Sequence, residues 1–535
     1  MKPRFLFTAI MLSLAAIGLV LSPPGEAQAQ KRGGKLVYMI PASGSPSLDG
    51  HRETTFATVH PTAPFYSLLV QVDPRSKGGE KLSGDLAESW TISPDNKTYT
   101  FKIRKGVKFH DGSPLTSRDV LATWKKIVFP EEGVLSVRQA FFSMVDSISA
   151  PDDHTVVFQL KFPSPAFFPA LAMPFNYVYS ADILNKDMHW FEKNVMGSGP
   201  FKFVEYVPGG KMVGTRNEDY YISGLPYLDG FEAIYAAKQN VYVAALRGDR
   251  AHSMFRGLPP AAVNELKKAR GNALEVQEST WNCSLIVTPN PYKKPFDDVR
   301  VRRALNLALD RWGGSRYLSK IGIVKTVGGV SFPGHPLAPT REQLKTLEGY
   351  GPDIKASRAK ARQLLKEAGV PEGFKFVLNN RNTDQPYKVV GTWALDQWRR
   401  IGLNGTQNTI PTSPFWAALR APKGGPWDVT MNFNCQAIVN PTVDISKFIS
   451  ASKANYGDHT DKHFDDLYDQ QLREPNFKKQ KDLIWQFEKY ANEKAYDFIT
   501  LWWHRTVVSS TKMKYWEVTP SHYLNMGLAN VWLDQ

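Results

Sequence analysis

The sequence holds no GxSxG, HExxH or CxxC run, and no glycine-rich phosphate loop follows any apolar strand. Those absences exclude the familiar nucleophile, zinc and nucleotide-cradling machineries. The reading is therefore of a protein that is not an enzyme, with no cofactor and no metal. Cysteine is nearly absent, with Cys283 and Cys435 the only two in 535 residues. An isolated, well-separated pair is a disulfide candidate in an oxidising compartment; the alternative is two buried free thiols. Beyond residue 29 no stretch is apolar enough to span a bilayer, so the exported chain should be soluble. Internal repeats and low-complexity linkers are also missing.

Two places come nearest to chemistry. Asp458, His459, Asp461 and His463 would put histidines at i and i+4, but Thr460 reads as a helix cap, making this a solvated loop and helix start. His110-Asp111 is followed by Gly112, so turn formation explains the aspartate better than acid–base work.

What is present begins with an export signal. Lys2 and Arg4 precede an apolar run over residues 5–21, and Ala27-Gln28-Ala29 offers the small residues of a cleavage site. Cleavage is expected after Ala29, without a lipid anchor, and the destination is the periplasm. The chain carries 66 Lys and Arg against 51 Asp and Glu, a formal charge of +15. The basic residues are dispersed and accompany no nucleic-acid motif, so they read as a solvated surface. No nucleic-acid partner is expected, and the length calls for two or three domains.

Residues 86–128, LAESWTISPDNKTYTFKIRKGVKFHDGSPLTSRDVLATWKKIV, are the most informative stretch. Tyr99, Phe101 and Ile103 alternate with polar residues as in a half-buried strand, and 107–109 reads as a second short strand. Thr116 and Asp119 compose a capping box for a helix whose Val120, Leu121, Trp124 and Val128 share one face. This stretch resembles the bacterial solute-binding proteins of family 5, the peptide, nickel and oligosaccharide receptors of ABC importers. Further landmarks follow in family order: the strand 35–40 with its loop PASGSPSLDG, a turn and strand at 150–160, an apolar helical patch at 164–172, GSGPFKF at 197–203, RNEDYY at 216–221, PYLD at 226–229, AALRGD at 244–249, KPFDDVRVRRALNLALDR at 294–311 and a helix at 357–368. In the 294–311 helix, Asp297 or Asp298 is the cap, Ala304, Leu305, Ala308 and Leu309 form the buried stripe, and the arginines are assigned to the solvated face.

The resemblance implies an α/β fold with two lobes, the periplasmic binding protein fold (type II, cluster C-like), with an extra subdomain in the first lobe and a two-strand hinge. The implied division is signal peptide 1–29, first lobe 30–75, extra subdomain 76–198, first lobe again 199–280, second lobe 281–508 and a first-lobe tail 509–535. Crossings fall near Thr280 and Ser509. The implied function is capture of a small solute, peptide-like or otherwise polar, by cleft closure and delivery to an inner-membrane ABC permease. Its partners would be a small-molecule or oligopeptide ligand and that permease, with the receptor a monomer. A secreted enzyme, a metal-binding protein, or a sensory or holdase interaction protein on the same scaffold are the alternatives. Some peptide-binding members join the strands equivalent to those of Cys283 and Cys435, which implies a bridge here.

Candidate ligand contacts are aromatic walls and hydrogen-bonding groups. They are Ser43 and Ser45 in the first loop, Trp281-Asn282 at the crossover, Phe415-Trp416, and the amide row Asn432, Asn434 and Gln436 with Asn440 beyond it. Alternation along a strand would point the amides into the cleft together. Peptide receptors of the family read WxADYxDP here, and the aspartate grips the ligand's ammonium. Aligned through Cys435 and Pro441, this chain has Ala437 at that position. Neutral polar ligands such as oligosaccharides, amides or blocked peptides suit the site better, and the basic balance leaves an acidic one open.

Overall fold

A computed structural model describes residues 30–535; the export signal assigned to 1–29 lies outside the described residues. Lys35–Ile40 opens the first sheet, with Leu36, Tyr38 and Ile40 fully buried. It pairs in parallel with Gly230–Tyr235, and Lys211–Arg216 and Phe201–Val207 extend the sheet in antiparallel fashion. The entry to Phe201–Val207 needs glycine at 197 and 199. A Cβ at either position would collide with the Phe65–Tyr66 backbone.

A second sheet of four strands runs Ala87–Ile92, Thr98–Ile103, Thr155–Leu160, Val145–Asp152. Its apolar face is covered by the helix Ser117–Val128, which has both halves of the Thr116–Asp119 capping box. Trp124 of that helix meets Phe142 and Phe158 edge-on at 5.3 and 5.4 Å. Losing so large a buried side chain costs about 3–5 kcal/mol. Asp111 accepts from the Ser113 N–H and Gly112 adopts φ +89°, so His110-Asp111 belongs to a turn. The segment 107–109 is bridged only through Lys108 and Pro114 and is not a strand. Helix in 164–172 shortens to Phe167–Leu171.

The third sheet has six strands, ordered Val324–Thr326, Phe498–Ser510, Leu274–Pro289, Val429–Cys435, Phe374–Arg381, Leu403–Ile410. Two of these are unusually long, at 16 residues for Leu274–Pro289 and 13 for Phe498–Ser510. They pair with each other from Leu274↔Ser510 to Val287↔Phe498, with register shifts between Thr280 and Ile286. At one end Ser509 bridges Ser253, which in turn bridges Tyr38 of the first sheet. The other end lies inside the third sheet. Both strands therefore run from the edge of the first sheet into the third, and the ladder distorts between the two. Within the distorted stretch Cys283 stands directly opposite Cys435, with Cα atoms 4.0 Å apart and sulfurs in bonding contact.

Two readings of local sequence are corrected. Asp298 caps the helix Val299–Leu307, but its arginines are not all solvated: Arg302 is buried, and so is Arg311 at the start of the next helix. Arg302 donates to the carbonyls of Phe296, Asp297 and Lys494, and Arg311 to those of Asn306, Gly349 and Ile499. Carbonyl acceptors satisfy a guanidinium as water would, which helical periodicity cannot reveal. Asp461, not Thr460, caps Lys462–Arg473 by accepting from the His463 N–H. His459 is stacked on Tyr496 at 4.4 Å and donates to the Phe448 carbonyl, while the His463 ring meets Tyr490. No helix among the described residues is long and apolar enough to cross a membrane.

Burial also fixes a pH response. His51 donates to the Tyr177 carbonyl and His60 to that of His522, and burial drives both imidazoles down to about 3. The unfolded chain takes up protons near pH 6.5 and the folded chain does not, so stability is full above 6.5 and falls as pH drops toward 3. Each histidine should remove about 2 kcal/mol between pH 6.5 and 5. Thermal midpoints should fall over that interval, less steeply in His60→Gln; an identical slope in the variant would contradict the assignment.

Candidate ligand-binding site between the two lobes

Thr55 caps the short helix Phe56–Thr62, accepting from the Ala57 N–H, and so fixes Phe56 at the seam between the lobes. From the first lobe Arg256 lies over the Phe56 ring at 4.5 Å from its centroid. From the second, Arg381 ends the strand Phe374–Arg381 and lies 5.0 Å from the same centroid. Tyr387 and Trp503 complete the wall, with the Arg256 guanidinium 5.9 and 4.8 Å from their rings. Trp281 stands behind, edge-on to Trp503 at 5.0 Å and donating to His522 Nδ1 at 2.9 Å. Such stacking recovers part of the cost of dehydrating a guanidinium.

Among the described residues the hydrogen bonds are incomplete. Arg256 donates only to the Gln385 carbonyl, at 2.7 Å, leaving Nε and Nη2 without partners. Arg381 donates to the hydroxyls of Thr412 and Thr55 at 3.3 and 3.4 Å, leaving Nη2 open. The Tyr387 hydroxyl and the indole N–H groups of Trp416 and Trp503 also lack partners. Burial lowers Arg256 to about 10, which still leaves it charged at neutral pH. Each unsatisfied buried donor costs about 1–3 kcal/mol, more for a charged group.

Beside this cluster a cavity of about 50 Å³ opens between Thr54, Arg138, Phe141, Met173 and Phe175 of the first lobe and Cys435, Gln436, Ala437, Ser446 and Lys447 of the second. None of its lining residues is acidic. Arg138 donates to the Glu53 and Gly50 carbonyls. Lys447 donates to the Ala454 carbonyl and lies 3.9 Å from the Tyr456 ring centroid; burial lowers it to about 8. The Tyr523 hydroxyl donates to the Thr54 carbonyl, placing its ring at the junction between cavity and arginine cluster.

Several contacts hold the lobes together. Arg420, beyond the helix Thr412–Leu419, grips Glu53 with two bonds of 3.1 and 2.9 Å and also donates to the Arg52 carbonyl. Glu53 is fully buried; burial pushes its carboxyl up and the Arg420 fork opposes that rise. Ser43 Oγ donates to Thr412 Oγ1 and accepts from the Thr412 N–H, both at 3.1 Å.

The residues singled out from sequence have these places. Ser43 bonds to Thr412 at the rim, whereas Ser45 bonds to Ser47 of its own loop and to Thr58 of the helix Phe56–Thr62. Trp281 backs the arginine cluster, and Phe415 and Trp416 are buried at the second-lobe face, Trp416 edge-on to Phe433 and Tyr456. Asn282 donates to the Ile438 carbonyl, Asn432 to Thr288 and Asn434 to the Asp444 carbonyl. Gln436 donates to Asn434 and lines the cavity, and Asn440 caps Pro441–Ile445. The amides thus donate to internal partners that sequence could not supply, while the Oδ1 atoms of Asn282 and Asn432 stay buried without a partner among the described residues. Arg256, Arg381, Arg138, Lys447 and the Glu53–Arg420 pair were not singled out. A single arginine closing an otherwise uncharged run, as in VLNNR, was the available signal.

Residues 81–456 match the family described as bacterial extracellular solute-binding proteins, family 5 Middle. Di/tripeptide-binding protein 1 of Pseudomonas aeruginosa (strain UCBPP-PA14) is 29% identical over 454 residues, 79% of each chain. Two solved structures superpose with TM-scores of 0.80. The ABC transporter-associated periplasmic binding protein DppA from Helicobacter pylori, in complex with peptide STSA, is 24% identical and covers 94% of this chain and 99% of its own. The binding protein AgaA from A. tumefaciens R10, in complex with agropinic acid, is 22% identical with the same coverages. The fold and its relatives define a substrate-binding protein of the two-lobed periplasmic type. The chain belongs to the family 5 bacterial extracellular solute-binding proteins. Its role is substrate binding, and the relatives named are binding proteins.

The Glu53–Arg420 pair can be tested directly. Glu53→Gln keeps the shape and removes the charge, leaving Arg420 buried opposite a neutral amide. Breaking such a pair from one side costs about 3–5 kcal/mol. The variant should melt earlier and scatter X-rays with a larger radius of gyration; unchanged values on both counts would show that the pair does not hold the lobes together.

Proposed function

We propose that this protein captures a small polar solute between its lobes, closes over it, and presents the closed form to an inner-membrane ABC permease. One observation carries the reading: donors without partners among the described residues, on Arg256, Arg381, Tyr387 and Trp503, converge on one buried aromatic seam. Groups that cost free energy when unpaired are retained where a ligand completes them. The adjoining cavity of about 50 Å³ is far below the roughly 300 Å³ that ligand pockets begin at, so the lobes must part to admit a solute and close again. The division proposed is first lobe 30–75, 199–280 and 509–535, its extra subdomain 76–198, and second lobe 281–508. Hinge closure about two strands is an established mode of domain movement.

The periplasm is the proposed compartment, with export by cleavage after Ala29, and the monomer is the proposed working unit. An oxidising compartment suits the Cys283–Cys435 pair, which would tie the crossing strand to its neighbour beside the site. The relatives' ligands, di- and tripeptides for one and agropinic acid for another, bracket the size of solute proposed.

Two measurements test this. Protein stripped of bound solute by reversible unfolding should show a larger radius of gyration than protein purified natively, and adding back the released small-molecule fraction should restore the smaller value and raise the melting temperature. No small-molecule fraction, or no compaction on its return, would refute capture by closure. Alkylation without reduction should leave the intact mass unchanged; addition of two alkyl groups would refute the bridge.

A further inference from the structure

Among the buried arginines, Arg505 is the instructive comparison. It is as buried as Arg256 and Arg381, yet it donates to the carbonyls of Phe255, Arg256, Thr519 and Ser521. Its role is structural, and nothing about it is left open. Arg256 and Arg381 share with it the lack of an ion-pair partner and differ in their hydrogen bonds. Neither forms an ion pair among the described residues, and both keep N–H groups with no acceptor while being almost wholly buried. They also share neighbours. Their guanidiniums lie 4.5 and 5.0 Å from the Phe56 centroid and 5.9 and 6.0 Å from that of Tyr387. Two like charges are thus buried around the same pair of rings with no carboxylate in ion-pair contact among the described residues; Glu53, held by Arg420, acts on Arg381 without contacting it.

The surroundings sharpen the imbalance. The adjoining cavity presents two further cations, Arg138 and Lys447, and no carboxylate. Glu53 has both oxygens taken by Arg420, and Asp384, which accepts from the Gln239 N–H, is paired with Lys388. Ala437 lines the cavity with a methyl group alone. A buried charge without a partner is stable only when something supplies the opposite charge, and a guanidinium fork matches an oxyanion in shape as well as sign.

We propose that the captured solute is a small organic oxyanion whose charged group sits between Arg256 and Arg381, and that the site anchors no ammonium. This rests on the reading of the protein as a solute receptor. The remainder of the solute lies against Phe56, Tyr387 and Trp503, so a flat or apolar body suits it. A carboxylate and a phosphate ester share the chemistry that the two forks recognise.

The test pairs acids with their own amides. Stripped protein is titrated calorimetrically with N-acetylphenylalanine, N-acetylphenylalanine amide, phenylalanine amide and phenyl phosphate, and the solute released from native protein is identified by mass spectrometry. Binding of either oxyanion at least 30-fold tighter than both amides, or release of an anionic solute, is the expected result. Arg256→Gln and Arg381→Gln should each weaken the preferred anion at least 30-fold while the circular dichroism of the unliganded protein is unchanged. Should a variant fail to fold, Arg381→Lys keeps the charge and should lose less affinity than any neutral replacement that folds. Preference for phenylalanine amide, release of a neutral or cationic solute, or unaltered anion affinity in both glutamine variants would overturn the inference while solute capture stands. Absence of any released solute together with no binding by any probe would instead overturn capture itself.

Discussion

The antiparallel ladder joining Leu274–Pro289 to Phe498–Ser510 is the connection on which everything else in this protein depends. One end of the pair reaches Ser253 and Tyr38 of the first sheet, and the other is embedded in the six-stranded sheet. A paired ladder resists shear along its length but bends where its register breaks, and here it breaks between Thr280 and Ile286. Trp281, Cys283 and the arginine cluster all lie at that break. The covalent crossing, the neighbouring Cys283–Cys435 contact and the unpartnered cationic donors are therefore features of one place.

Bringing two lobes together around buried charge requires attraction elsewhere. The Glu53–Arg420 pair and the Ser43–Thr412 bonds supply contacts that form only when the lobes meet. Against them stands the cost of dehydrating Arg256 and Arg381 beside one another. Contact with aromatic faces offsets part of that cost, and the open N–H groups show that the offset is partial. A ligand that supplies the missing acceptors then shifts the balance toward the closed form by its preference for that form. Capture and closure become a single equilibrium, in which charge complementarity sets the direction.

Much of the fold was legible in the sequence, because its signals are local. The Thr116–Asp119 capping box, the Tyr99–Phe101–Ile103 alternation and the Asp298 cap depend on residues a few positions apart, and each forms as the pattern implies. Less of the candidate site could be read. The aromatic positions Trp281 and Trp416 were findable, since large aromatic residues near a crossover have few other places to go. The strand amides were not separable from ligand contacts, because their partners, Thr288, Ile438 and Asp444, come from other parts of the chain. Arginines were read as surface residues, and Arg302, Arg311, Arg256 and Arg381 are all buried. Whether carbonyls, a carboxylate or nothing faces a guanidinium is a property of the folded arrangement alone.

The central claim, that the two lobes close over a solute at the Arg256–Arg381 seam, is tested most directly by the distance between the lobes in solution. Spin labels placed one on the exposed Val241 of the first lobe and one on the exposed Tyr317 of the second would report it by pulsed electron paramagnetic resonance, with Cys283 and Cys435 left bridged. The account predicts a longer, broader distance distribution in stripped protein that collapses to a short, narrow one when the natively bound solute is restored. A single distribution, unchanged by removal and return of that solute, would contradict it.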